Sequence, residues 1–176
     1  MEDILIRPVE PGDNAAVADL IRTTLTEFGL NKPGTVYYDQ STDHLYELFR
    51  REGSVYYVAV EQNVIIGGAG IYPSDGLPSG TCELVKMYLR PPARGKGLGR
   101  ILISKSLEFA ASAGYTQVYL ETMPELKQAT RVYEKFGFTY LNAPMGNTGH
   151  FGCEVWMQKK LYQTRLGLIQ LFTFIF

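Results

Sequence analysis

The feature that most constrains this chain is the hexapeptide Arg94-Gly95-Lys96-Gly97-Leu98-Gly99, followed by Arg100. It lies between an apolar, β-prone run, Cys82–Leu89, and a stretch with helical spacing from about Leu98 to Ala113. A strand must therefore turn sharply into a helix here, and the first amides of that helix have no intrahelical acceptor. Those free N–H groups carry partial positive charge, and glycines without Cβ atoms let an anion come close to them. With Arg94, Lys96 and Arg100 adding charge, the expected ligand carries phosphates. Alone, such a glycine pattern is equally compatible with a tight strand-to-helix turn.

The rest of the chain surrounds this turn with alternating elements. Ile4–Val9 reads as a strand; Asp13 is placed to cap a helix carrying Val17, Leu20, Ile21, Thr24 and Phe28. Ser41 is the expected cap of a second helix, whose apolar stripe is Leu45, Leu48 and Phe49. Ser54–Glu61 and Val64–Tyr72 read as a hairpin turning at Gln62-Asn63, although Gly67, Gly68 and Gly70 weaken the second strand. Thr116–Leu120 is a short strand, and Pro124 suits the first turn of a helix through Phe136. Phe138–Leu141 and Phe151–Gln158 close the pattern as strands. The order β-α-α-β-β-β-α-β-α-β-β is that of a mixed α/β (α+β) single domain, and 176 residues suit one core rather than two.

Composition narrows the partners. Net charge is −1, so no broad basic surface for nucleic acid or an anionic membrane is expected, and any anion site is local. Cys82, Cys153, His44 and His150 lack metal-binding spacing, so no metal is expected. The N-terminus has no basic segment leading into an apolar one, which makes the cytoplasm the expected compartment. The last stretch, residues 162–176, is strongly apolar but shorter than the roughly 20 residues a membrane-spanning helix needs. It is expected to pack on its own domain, residues 1–161, or on a partner subunit, a homodimer being one such arrangement.

Two segments carry a family resemblance. Glu83 to Gly99 resembles the central motif of GNAT acetyltransferases, a strand followed by [Arg/Gln]-x-x-Gly-x-[Gly/Ala] and a helix, with Arg94, Gly97 and Gly99 at the defining places. Ala129 to Phe138 is similar to the family's late helix ending Tyr-Glu-Lys-x-Gly-Phe. The resemblance covers about Ile4 to Lys160 and implies the GNAT fold, in which two central strands splay apart to admit the pantetheine arm of acetyl-CoA. It implies that Met87 and Leu89 pair with the pantetheine, and that the amides of Gly95, Lys96, Gly97, Leu98, Gly99 and Arg100 receive the pyrophosphate. One departure is Leu126, where the family often has an asparagine contacting the cofactor. A dinucleotide fold is excluded by the motif's position in the chain, and a P-loop by the missing Gly-Lys-[Ser/Thr] ending.

The implied activity is transfer of an acetyl group from acetyl-CoA to a small-molecule or peptide amine, by direct attack in a ternary complex. A longer acyl-CoA donor and a non-catalytic CoA-binding module are the alternatives. Glu83 is placed by resemblance as the base that deprotonates the amine, with Glu121 at the end of the neighbouring strand as a second candidate or a substrate-orienting group. Tyr133 is placed to protonate the departing thiolate. Glu83 could instead be a paired strand carboxylate, Tyr133 an apolar-face tyrosine and Arg94 a surface charge. Tyr38 and Asp39, with neighbouring Tyr37, and the late-loop residues Asn147, Thr148 and His150, occupy places that line the acceptor side in this fold. His150 carries no special weight, since no carboxylate partner is visible for it in the sequence, and Cys153 reads as a buried small residue.

Overall fold

The computed structural model describes residues 4–162. Seven strands form one sheet: β1 (Leu5–Pro8), β2 (Val55–Glu61), β3 (Val64–Tyr72), β4 (Thr81–Leu89), β5 (Gln117–Thr122), β6 (Thr139–Leu141) and β7 (Val155–Lys160). Four helices accompany them: α1 (Asn14–Glu27), α2 (Leu45–Leu48), α3 (Leu98–Ser112) and α4 (Lys127–Lys135). The sheet order is β1-β2-β3-β4-β5-β7-β6, antiparallel throughout except where β4 meets β5. The order of elements along the chain is the one expected, and the fold is α+β.

Each face of the sheet is covered because one helix presents a continuous apolar stripe to it. Val17, Leu20, Ile21, Thr24 and Leu25 of α1 are buried at i, i+3, i+4, i+7, i+8 spacing, and all but Thr24 join Tyr56, Val58 and Tyr88 in one core cluster. Leu98, Leu102, Ile103, Leu107 and Ala110 of α3 do the same on the other face, against Ala69, Ile71, Leu84 and Leu120. Among the described residues no helix is long and apolar enough to cross a membrane.

The β2–β3 turn is the expected one: Gln62 and Asn63 both adopt positive φ, 49° and 64°, which matches the twist of a tight hairpin. The glycines that weaken β3 in sequence have a packing reason. A Cβ on Gly68 or Gly70 would come within 2.6–2.8 Å of the Tyr56 ring, so the bare strand is the seat of that buried side chain.

Several local expectations are corrected by tertiary contacts. Asp13 makes no side-chain cap on α1; it accepts hydrogen bonds from the Glu10 amide and from Arg7 at 2.6–3.0 Å. Ser41 lies within a 3-10 turn, Gln40–Asp43, and α2 starts only at Leu45. The start of α2 is served from a distance, Asn14 Oδ1 accepting from the Tyr46 amide at 2.8 Å. Pro124 precedes α4 by three residues. The last strand begins at Val155 rather than Phe151, because Gly152 is held to the early loop by its amide, which donates to Gly34 O at 2.9 Å. The apolar tail beyond Tyr162 lies outside the described residues.

Candidate active site

The parallel strands β4 and β5 pair only at Thr81–Gln117, Cys82–Val118 and Glu83–Tyr119. Beyond Glu83 they part, and the edge of β4 facing β5 runs to Leu89 without a strand partner. Unpaired main-chain groups inside a fold call for another hydrogen-bonding partner. The gap opens into a cavity of about 810 Å³, lined by residues from both faces of the opening. That volume is within the range of small-molecule sites.

At one end lies the glycine-rich turn. Gly97 has φ 82° and is the residue before α3; a Cβ there would meet no atom within 4 Å. The amides of Gly95, Lys96, Gly97, Leu98 and Gly99 have no main-chain acceptor among the described residues, as an anion cradle requires. The Arg100 amide is different: it donates to Gly97 O at 3.0 Å, so this residue offers the cavity its side chain and not its N–H. Arg94 also lines the cavity, but its guanidinium is bound bidentately by Glu27 of α1 at 2.6 and 2.8 Å. Its Nε donates to Leu89 O at 2.9 Å. Arg94 therefore braces the end of β4 against α1, and the free donors at the glycine turn are main-chain amides and the Arg100 side chain. Leu98 is buried at 3% exposure, and neither its side chain nor that of Lys96 lines the cavity.

At the other end, where the strands part, the charged side chains gather. Glu83 is 3% exposed and accepts a hydrogen bond from Ser74 Oγ. Burial raises its pKa, the Ser74 bond opposes this, and the neighbouring Glu121 adds to the rise, leaving the carboxyl at about 7. Glu121, two residues beyond Tyr119 on the same face of β5, accepts from Tyr119 Oη at 2.8 Å and from Thr148 Oγ1 at 2.9 Å. Tyr119 Oη in turn accepts from the Met145 amide at 3.1 Å, which pins the late loop to β5.

Asp39 is delivered by the loop between α1 and α2. Thr35 Oγ1 donates to Leu30 O and Lys32 O, and Thr42 Oγ1 to Val36 O, so this loop is held by its own buried hydroxyls. Asp39 Oδ2 lies 2.9 Å from His150 Nε2 and 3.5 Å from Lys86 Nζ. Burial raises the Asp39 pKa, but the His150 bond and the Lys86 charge outweigh it, and the net shift is downward. For His150, burial lowers the pKa and the Asp39 carboxylate more than compensates, so the imidazole is held above its ordinary range. His150 thus has the carboxylate partner that its sequence context does not reveal.

Glu83, Glu121 and His150 each place one ligand-type atom within 4.8 Å of the others, a spacing at which an ion could be held. Each of the three is already hydrogen-bonded within the protein.

Tyr133, from α4, is 6% exposed, lines the same cavity and packs edge-on against Phe138. Burial raises its pKa, and its hydroxyl has no hydrogen-bond partner among the described residues. Met87, Leu89, Gly95, Gly97 and Gly99 line the cavity as well. Tyr38 does not: it is 62% exposed and meets the Tyr37 ring edge-on, so among the described residues it is a surface side chain. Ser74, Lys86 and Tyr119 are the residues that sequence reasoning left unassigned, while Asn147 and Thr148, expected on the acceptor side, line the cavity. Lys86 alone offered a signal, as the one basic residue in the apolar run Cys82–Leu89.

A mixed sheet opened between two parallel strands, above a glycine-lined helix start, defines the GNAT class of acyltransferase. The sequence matches the acetyltransferase (GNAT) family over residues 17–138, and the chain belongs to that family. It is 40% identical over 150 residues to the uncharacterised N-acetyltransferase YjgM of Escherichia coli K12, covering 85% of this chain and 90% of that one. Its fold is similar to that of a GNAT acetyltransferase from Staphylococcus aureus Mu50, with TM-score 0.75 and 16% identity over 91% of this chain and 100% of the other. A similar likeness, TM-score 0.69 at 22% identity over 93% and 96% of the two chains, holds to yncA of Salmonella typhimurium, solved with its cofactor acetyl-CoA.

Proposed function

We propose that this acyltransferase moves an acetyl group from acetyl-CoA to a primary amine, by direct attack of the amine within a ternary complex. The observation that carries the reading is Glu83: a buried carboxyl with pKa about 7, at the point where β4 and β5 part. An alkyl ammonium with pKa ~10.4 is almost wholly protonated at neutral pH, so attack needs a base. A base is most effective when its own pKa lies near the working pH.

In this scheme Glu83 takes the proton from the attacking nitrogen as the N–C bond forms at the thioester carbonyl. The C–S bond then breaks, and Tyr133, kept protonated by burial, donates its proton to the CoA sulfur. The unpaired edge of β4 near Met87 and Leu89 receives the pantetheine. The free amides from Gly95 to Gly99 receive the pyrophosphate. Acetyl-CoA as donor is supported by the family and by the Salmonella relative in fold. Direct transfer is favoured over a covalent acyl-enzyme by the state of the thiols. Cys153 lines the cavity and Cys82 is buried in the core; burial pushes both up to about 12, far from the thiolate a nucleophile needs.

The test is the pH profile of CoA release for two variants on an accepted amine. For Glu83→Gln, kcat/KM is expected to climb between roughly pH 7 and 9.5 toward wild type, as solution supplies neutral amine. Tyr133→Phe is expected to lose about 10²-fold or less without such recovery. A Glu83→Gln deficit that stays constant over the range, in folded protein that binds CoA, assigns the base to another group.

A further inference from the structure

The structure buries a lysine, Lys86, beside the proposed base, and the acetyl-transfer scheme does not use it; burial lowers its pKa, and the Asp39 and Glu83 carboxyl groups oppose that shift. Lys86 stands in the middle of β4, where strict alternation would send it to the α3 face, into the apolar cluster containing Leu84 and Met87. It goes elsewhere because β4 carries an irregularity there. Val85 pairs with Gly70 and Tyr88 with Gly68, so Lys86 and Met87 together face the single residue Ala69. Lys86 has φ 51°, a left-handed conformation costly for a side chain of this kind, and the buried Tyr56 hydroxyl donates to its carbonyl at 2.9 Å. The extra residue turns the ammonium to the α1 face, the face of Val85 and Tyr88, and into the cavity.

Once there, the ammonium is under-partnered. The Lys86 side chain is 5% exposed, and its partner among the described residues is Asp39 Oδ2, at 3.5 Å. That same oxygen is held more closely by His150, at 2.9 Å. Two basic groups thus share one carboxylate oxygen, and an ammonium with three N–H donors has a single long contact. A charge so placed costs stability unless something else binds it. Glu83 and Glu121 line the same cavity, each with an oxygen within 4.8 Å of His150. This end of the cavity therefore holds basic and acidic groups together.

From the shared Asp39 oxygen and the carboxyl groups in the same cavity we infer that the acceptor is an amino acid or a close analogue, its amine directed to Glu83 and Glu121 and its carboxylate received by Lys86, with His150 beside it. The inference rests on the N-acetyltransferase reading and narrows its acceptor. A polyamine or a simple alkylamine would meet the carboxylates equally well but would leave Lys86 with only the Asp39 oxygen that it shares with His150. Lys86 is then the residue that separates an amino acid from the amine it yields on decarboxylation.

The experiment uses matched pairs: phenylalanine against phenethylamine, histidine against histamine, lysine against cadaverine, each with acetyl-CoA and followed by CoA release. In wild type, at least one carboxylated member is expected to exceed its partner in kcat/KM by roughly 10- to 100-fold, the value of a charge-assisted contact. In Lys86→Met that ratio is expected to fall toward one, and in Lys86→Arg to be partly restored. A wild-type preference for the decarboxylated members overturns the carboxylate assignment while leaving acetyl transfer intact. So does a Lys86→Met ratio equal to that of wild type, with both members slowed together, which would make Lys86 a support of the strand or a contact to the thioester carbonyl. Acetyl-CoA binding without turnover of any amine overturns the transferase reading itself, and this inference with it. The wild-type ratio decides the matter even if the Lys86 variants do not fold.

Discussion

Replacing Glu83 by Gln is expected to stabilise the protein, and by an amount that depends on pH. The carboxyl has a pKa of about 7 in the fold against an ordinary 4.5, mainly because burial disfavours its charge. Between those two values the folded state holds a proton that the unfolded chain has released, so stability falls as pH rises from about 4.5 to about 7 and then levels off. The full shift of 4.5 to about 7 corresponds to roughly 3 kcal/mol at 1.36 kcal/mol per pKa unit. Gln keeps the shape and an oxygen for the Ser74 hydroxyl but never carries the charge. Urea unfolding of both proteins without ligand, across roughly pH 5 to 8, reads the effect as the difference between them, since titrating groups not coupled to Glu83 cancel. The stability of the variant relative to wild type should grow by about 2 kcal/mol over that range. A difference that is flat with pH, or that shrinks as pH rises, would refute the reasoning: Glu83 would then be ionised in the fold and unsuited to act as a base poised near neutrality.

Two further outcomes test the frame around the site. Gly97→Val is expected to remove CoA binding by calorimetry while costing about 1–2 kcal/mol of stability for the left-handed backbone, since φ is 82° and the space beyond Cα is open. Retained affinity in the folded variant would mean that the glycine turn does not hold the pyrophosphate. Gly70→Ala, 27 residues earlier in the chain, is expected to leave that turn untouched and to cost about 1–3 kcal/mol in denaturant unfolding. Its Cβ would sit 2.7 Å from the Tyr56 ring and 2.8 Å from both the Phe49 ring and Val55 O. A neutral outcome would show that Tyr56 can shift, and with it the support of the Lys86 carbonyl.

The glycine turn at one end of the cavity was legible in the sequence because its structure is local. Consecutive residues form a strand, a glycine turn and a helix, and the free amides at Gly95 to Gly99 follow from that succession alone. Glu83 and Tyr133 were likewise readable, each within a contiguous motif, and both line the cavity. The cluster of charged side chains at the other end was not, because its partners are far apart in the chain. Asp39 and His150 are separated by 111 positions and meet only when the late loop docks, through Gly34–Gly152 and Tyr119–Met145 bonds, on elements made earlier. Tyr38, adjacent to Asp39, points to solvent, a distinction of one residue that no local pattern encodes. Position 86 shows the limit most clearly. Period-two alternation assigns Lys86 to the apolar face; the bulge opposite Ala69 moves it to the other, and that bulge depends on how β3 and β4 register around the Tyr56 ring. Sequence determined which chemical groups the chain carries and the local turns that present them. Tertiary structure decided which of them share an enclosed space, because burial and charge pairing arise only between segments that the fold brings together.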